Sequence, residues 1–151
     1  MQSDEQEQLS DLSVPLTVRL GLAPHGQRHI RHEISGIAVE LMMKSILIKQ
    51  GFSVSDPILS TSYDFITEFD GVVNTIQVRS AEHLAKNGYY RLLAGDKIGG
   101  YSILLAHIVP TKTTYVIPWN ELDRKWVVIH KDRPNKYEKY KEAWHLLKEA
   151  H

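Results

Sequence analysis

Residues 63–80, YDFITEFDGVVNTIQVRS, hold two short runs rich in Val, Ile, Phe, Tyr and Thr on either side of Asp70-Gly71. Asp-Gly between such runs predicts a two-residue hairpin turn, and that turn fixes the register beyond it. Phe69 then faces Val72, Ile66 faces Thr75 and Asp64 faces Gln77. Opposed residues on one face lie about 5 Å apart. Arg79 follows Gln77 by two and so shares its face. A carboxylate, an amide and a guanidinium are therefore expected together on one side of a mostly apolar ribbon.

Composition narrows what surrounds that ribbon. A chain of 151 residues reads as one domain large enough for a core. Its 42% hydrophobic and 24% charged residues are ordinary for a soluble globular protein. It has no apolar run long enough to cross a membrane, and the start MQSDEQEQLS carries no signal-peptide pattern. The absence of cysteine excludes disulfides and thiol catalysis and fits a cytoplasmic setting. Eighteen basic and 18 acidic residues cancel, so no global basic excess marks a nucleic-acid partner. The charge is uneven, however: Arg19, Arg28 and Arg31 fall in a stretch without acids.

In chain order, residues 1–12 read as a disordered tail, and 13–151 as one domain that opens with an extended arm over 13–25. Residues 33–50 predict a helix. Ile34, Ile37, Ala38, Leu41, Ser45 and Ile48 mark its stripe, and Met42, Met43, Ile46 and Leu47 widen it. Gly51 is its stop and Phe52 opens an extended segment. Residues 80–100 read as a loop with a short ribbon. The apolar run 101–109 predicts a central strand buried on both faces, and 114–117 and 126–130 predict further strands. Residues 135–150 predict a closing helix with Tyr140, Trp144 and Leu147 buried. The sum is an α/β fold, a mixed sheet flanked by helices.

The hairpin cluster suggests a chemistry. A hard divalent cation such as Mg2+ is held by one or two carboxylates plus neutral oxygens, and it can neutralise a phosphodiester and activate water. Asp64 offers a carboxylate, Gln77 an amide oxygen and Val78 a backbone carbonyl. Glu40 is a second carboxylate, set in the helix among Ile37, Met43 and Leu47. An unpaired acid among such neighbours is costly, and a metal or a basic partner would resolve it. The bland alternative is a solvated strand face with a weak ion pair, and a Glu40 that reaches water.

A helical Glu, a Gly-Phe after the helix, an Asp at a hairpin start and then Gln77-Val78-Arg79 on the next strand resemble the PD-(D/E)XK nucleases. That superfamily has a restriction-endonuclease-like core. The helix and its end, GIAVELMMKSILIKQGF, match a recurring family form. The stretches YDFITEFDGVVNTIQV, GYYRLLAG, SILLAHIVPTKTTYVIPWNEL and KYEKYKEAW are similar to the cyanobacterial group I intron-encoded homing endonucleases of this superfamily. The resemblance spans roughly 33–148. It implies a site-specific double-strand DNA endonuclease that uses Mg2+, or Mn2+ in its place. Glu40, Asp64, Gln77 and Arg79 would be its catalytic residues, with Asp64, Gln77, Val78 and Glu40 at the metal. It also implies a homotetramer reading a long, pseudo-palindromic site.

Two positions depart from the pattern. Gln77 stands for Glu or Asp, as the intron-endonuclease subfamily also has it. Arg79 stands for Lys; it keeps the charge but cannot lose its proton. Cleavage impaired by Arg79 is the expectation. The alternatives are a Holliday-junction resolvase, a restriction-type nuclease, or a non-cleaving DNA-binding module of the same fold. Arg28, Arg31, Lys86, Asn87, Arg91, Lys97 and Lys112 are candidate DNA contacts, with 86–100 the first choice for base reading. Tyr89, Tyr90 and Trp119 are candidates for stacking on bases. His25, His29 and His32 recur at helical spacing, but an extended arm with Gly26 sets a zinc site aside.

Overall fold

The structure, a computed structural model, describes residues 24–59, 61–95, 100–123 and 125–150, with side chains from residue 32 onward. The expected tail over 1–12, the arm up to 23, Lys97 and the side chains of Arg28 and Arg31 lie outside the described residues. Two compact units separate at Ala38, Met1–Ala38 and Val39–His151. The elements are α1 (Pro24–Lys49), β1 (Ser53–Ser55), β2 (Phe65–Phe69), β3 (Val72–Ala81), β4 (Tyr89–Leu93), β5 (Ile103–Ile108), β6 (Thr113–Pro118) and β7 (Trp126–His130).

Asp70 (φ 48°) and Gly71 (φ 80°) both take left-handed backbone, the conformation of the mirror-image two-residue hairpin turn. Glu68 Oε1 accepts from the Gly71 N–H at 2.7 Å and closes the turn. The predicted register follows, with Phe69 opposite Val72, Ile66 opposite Thr75 and Phe65 opposite Ile76. A five-stranded sheet runs β1-β2-β3-β5-β6. Its β3–β5 pair is parallel and the others antiparallel, so the sheet is mixed. All six residues of β5 are buried, as the continuous apolar run predicts.

The sheet is covered differently on its two faces. On one, Val39, Met43 and Leu47 of α1 join Phe65, Ile76, Val78, Ile103 and Leu105. Each fully buried aliphatic there contributes about 1.5–3 kcal/mol. On the other, Ala81, Leu104, Ala106 and Ile117 join Tyr90, Leu92, Val127 and Ile129. Those last four belong to β4 and β7, a separate two-stranded antiparallel sheet. The ribbon expected within 80–100 is therefore β4 paired with a strand from later in the chain.

Three expectations are corrected. First, α1 begins at Pro24 and not at 33, so Pro24 and His25 are helix and not arm. Second, the helix stripe on the sheet is Val39-Met43-Leu47: Met43 and Leu47 are buried within the widened stripe as predicted, Val39 lies outside it, and Ile34, Ile37, Leu41 and Ile48 are exposed. A helix with apolar residues on several faces offers several stripes, and periodicity alone cannot choose the one that docks. It does end as predicted: Gly51 (φ 91°) is left-handed, Phe52 N–H bonds Leu47 O at 3.1 Å and Gly51 N–H bonds Ile48 O at 3.0 Å. Third, 135–150 is not one helix. Two 3-10 turns, Glu138–Tyr140 and Trp144–Lys148, flank Lys141, which bridges to Tyr115 on β6. Glu142 (φ 50°) donates N–H to Thr114 O at 2.8 Å, and its Oε1 accepts from Thr114 N–H at 2.6 Å. The open edge of β6 takes these bonds in place of a helical ladder. Tyr140 and Leu147 are buried as predicted, and Trp144 is half-buried. Among the described residues, then, one α-helix covers the sheet and a β-ribbon takes the place of the expected second helix.

Candidate functional site

The site forms where β3 changes partners. Its first half pairs with β2 and its second half with β5. Beyond Ile76 the edge that β2 occupied is vacated. Asp64 N–H still bonds Ile76 O at 2.7 Å, one residue out of register with the Phe65–Ile76 pair. The extra residue acts as a bulge does, turning the chain away and re-aiming a side chain.

The Asp64 carboxylate turns into the vacated edge. Its Oδ2 accepts from the Val78 N–H at 2.7 Å and from Gln77 Nε2 at 2.6 Å. The cross-strand pairing of Asp64 with Gln77 is thus present as a direct hydrogen bond. Gln77 is only 5% exposed, which removes the reading of a solvated strand face. Burial raises the Asp64 carboxyl above its ordinary value and Glu40 adds to this; the Val78 N–H, Arg79 and Lys44 pull it back.

Arg79 lies beside the cluster, its guanidinium held by two backbone carbonyls. Its Nη1 donates to Val78 O at 2.9 Å and its Nε to Leu93 O of β4 at 3.1 Å. The carbonyl expected as a neutral oxygen ligand therefore carries a guanidinium in this state. The Gln77 amide likewise presents N–H, not oxygen, to Asp64.

Glu40 reaches the same place from α1. An open cleft of about 430 Å³ is lined by Tyr63 and Asp64, by Glu40, Lys44 and Asp56, and by exposed Ile58 and Leu59. Glu40 has a basic partner: Lys44 Nζ lies 2.7 Å from its Oε1 and 2.5 Å from Asp56 Oδ1. Burial lowers the Lys44 ammonium, but hydrogen bonds to Asp56 and Glu40 outweigh it and leave the pKa raised. Sequence reasoning missed Lys44 and Asp56. A Glu with Lys four residues later on a helix was the available signal for Lys44; a loop acid such as Asp56 carries none.

The remaining candidates lie elsewhere. Lys86 and Asn87 are exposed just before β4. Arg91 is exposed on β4 and stacks on Trp126, its guanidinium 4.0 Å from the ring centroid. Lys112 is exposed at a left-handed turn (φ 53°) between β5 and β6. Tyr90 is core, Tyr89 packs edge-on against His130 and Trp119 is exposed. His32 is exposed, while the side chains of His25 and His29 lie outside the described residues. No group of three or more His, Asp or Glu gathers as a metal cage among the described residues. Two carboxylates with neutral oxygens are instead the donor set Mg2+ takes, since it keeps several waters.

No sequence profile of a known family and no curated protein matches the chain. Its structure is similar to that of a bacterial homing endonuclease, I-Ssp6803I, with a TM-score of 0.67 and 22% identity over 76% of this chain and 89% of that one. The chain shares its fold with a homing endonuclease.

Proposed function

We propose that the chain is a site-specific, divalent-metal-dependent DNA endonuclease of the PD-(D/E)XK type. The observation that carries this is the Asp64 carboxylate, fixed by Gln77 and the Val78 N–H in a cleft that Glu40 also lines. The fold shared with a homing endonuclease supports it.

Asp64 and Glu40 would hold Mg2+, with the Val78 carbonyl and Gln77 as neutral donors. The donor chemistry fits a hard cation, and the raised Asp64 pKa marks a carboxylate whose burial a cation would offset. When bound, such an ion supplies charge neutralisation at the phosphate and a more acidic water. Gln77 and Val78 fix the carboxylate rotamer. Arg79 ties β3 to β4 and lends positive charge beside the phosphate site. Lys86, Asn87, Arg91 and Lys112 would contact DNA, together with Arg28, Arg31 and Lys97. Exposed Leu41 and Ile48 on α1 support burial against another copy, in keeping with a homotetramer on a long pseudo-palindromic site.

A second reading has one observation in its favour. With Arg79 on the Val78 carbonyl and the Gln77 N–H on Asp64, two metal-facing oxygens are occupied or turned away. A DNA-binding module that does not cut would keep that state. The test selects bound duplexes from a random pool. The recovered site is then assayed with Mg2+ or Mn2+, using wild type and Asp64→Ala. Cutting by the wild type alone, with binding retained in the variant, supports the endonuclease. Binding without cutting in both supports the module.

A further inference from the structure

We propose that Lys44 is the catalytic cation of this site, its ammonium donating to a non-bridging oxygen of the scissile phosphate. The proposal rests on the endonuclease reading above and assigns the positive charge that reading needs.

Hydrolysis of a phosphodiester builds negative charge on the phosphoryl oxygens, and a fixed donor aimed at them is the largest lever a protein has. Arg79 is poorly placed for that work. Its Nη1 and Nε are directed to Val78 O and Leu93 O, and it is not among the residues that line the cleft. Among the described residues that line the cleft, Lys44 is the one cation. Three carboxylates, Glu40, Asp56 and Asp64, line it as well. One divalent ion does not offset three carboxylates, so a phosphate entering that company meets repulsion that Lys44 would relieve.

Lys44 is also held ready. Its Nζ is tied to Glu40 Oε1 and Asp56 Oδ1, and it sits 5.4 Å from the centroid of the Phe65 ring. An ammonium has three N–H donors. Two are directed to the carboxylates, and the third remains for the substrate. The side chain is 16% exposed, so it is ordered before DNA arrives and little entropy is lost in aiming it. In the step itself the oxygen of water bonds to phosphorus and the bond to the leaving deoxyribose oxygen breaks. The attacking water loses one proton to solvent, and the leaving oxygen takes one up. Lys44 keeps its proton throughout.

The experiment measures single-turnover cleavage of the selected duplex with Mg2+, and duplex affinity with Ca2+, for wild type, Lys44→Gln, Lys44→Arg and Lys44→Ala. The expected result is a loss of about 100-fold or more in Lys44→Gln, the scale of removing one such donor, with affinity within about threefold. Lys44→Arg, which keeps the charge, should cleave at least about tenfold faster than Lys44→Gln. Added ethylammonium should restore Lys44→Ala, and tetramethylammonium, which has no N–H, should not. A wild type that cuts beside a Lys44→Gln that cuts equally well overturns the assignment of Lys44 alone. So does a folded Lys44→Ala that ethylammonium leaves inactive; thermal melts establish folding. A wild type that binds and never cuts takes down the endonuclease reading, and the Lys44 proposal with it.

Discussion

Replacing Asp64 by Asn should make the metal-free protein more stable while abolishing cleavage. Asp64 Oδ2 accepts two hydrogen bonds, from Gln77 Nε2 at 2.6 Å and from the Val78 N–H at 2.7 Å. An Asn Oδ1 can accept both. What the substitution removes is the charge, which sits partly out of water and close to Glu40. The folded-state pKa of Asp64 is raised, with burial the largest cause. A raised carboxyl contributes stability that is fully present below the unfolded pKa, near 3.8, and is lost as pH rises through the folded pKa. Above that folded pKa the wild type carries the ionised, disfavoured form. With the partly exposed carboxylate discounted for solvent screening, the gain in Asp64→Asn is about 0.5–1 kcal/mol. That is about 1–4 °C in Tm for a chain of this size. Calorimetric melts in chelator from pH 3 to 8 (a range spanning about four units above the ordinary carboxylate pKa) should show the two proteins converging in acid and diverging above it. Added Mg2+ at about ten times its Kd should then raise the wild-type Tm by about 3–6 °C and leave the variant unmoved. A variant less stable than wild type at neutral pH without metal would refute the reasoning, because the attraction of Arg79 and Lys44 would then outweigh burial.

Two further outcomes follow from the same contacts. Arg79→Lys should raise Mg2+-dependent cleavage, because Arg79 reaches Leu93 O through Nε and Val78 O through Nη1, and a lysine, with one terminal nitrogen, does not reproduce both positions and frees the carbonyl; losing the tie to β4 should cost about 0.5–1.5 kcal/mol, and an unchanged or slower rate beside the lower Tm would contradict it. His107 is 4% exposed with Nδ1 2.9 Å from Thr114 Oγ1, and burial lowers its pKa below 6.5 although Glu142 opposes this. Its stabilising contribution is present above pH 6.5 and lost as pH falls through the folded value, so denaturant midpoints should drop over that window and flatten in His107→Gln.

How much of this was legible in the chain depended on how local each signal was. Asp70-Gly71 fixed a register that the hairpin keeps, and from it the Asp64–Gln77 contact. Gly51 ended α1 by a backbone requirement that involves only its neighbours. The docking stripe of α1 was legible only in part: Met43 and Leu47 lie within the widened apolar stripe, but Leu41 and Ile48 differ from them only in what they meet. Nor was the C-terminal segment, where the needs of Thr114 on β6 override local helix propensity. The partnership of β4 with β7 depends on two segments far apart in sequence, and no turn signal connects them. At the site, the acids were visible as residue types. What the sequence concealed was who holds them: Lys44 on Glu40, and Arg79 on a backbone carbonyl.

The vacated edge of β3 has one more consequence. The Val78 amide is protected by a side chain where its neighbours are protected by strands. Its hydrogen exchange is therefore tied to the Asp64 rotamer rather than to the opening of the sheet. Any ligand that draws the carboxylate toward the cleft uncovers that one amide, and any that locks it in place slows its exchange. A single backbone proton thus serves as a built-in gauge of occupancy, readable without a substrate, a label or a cut.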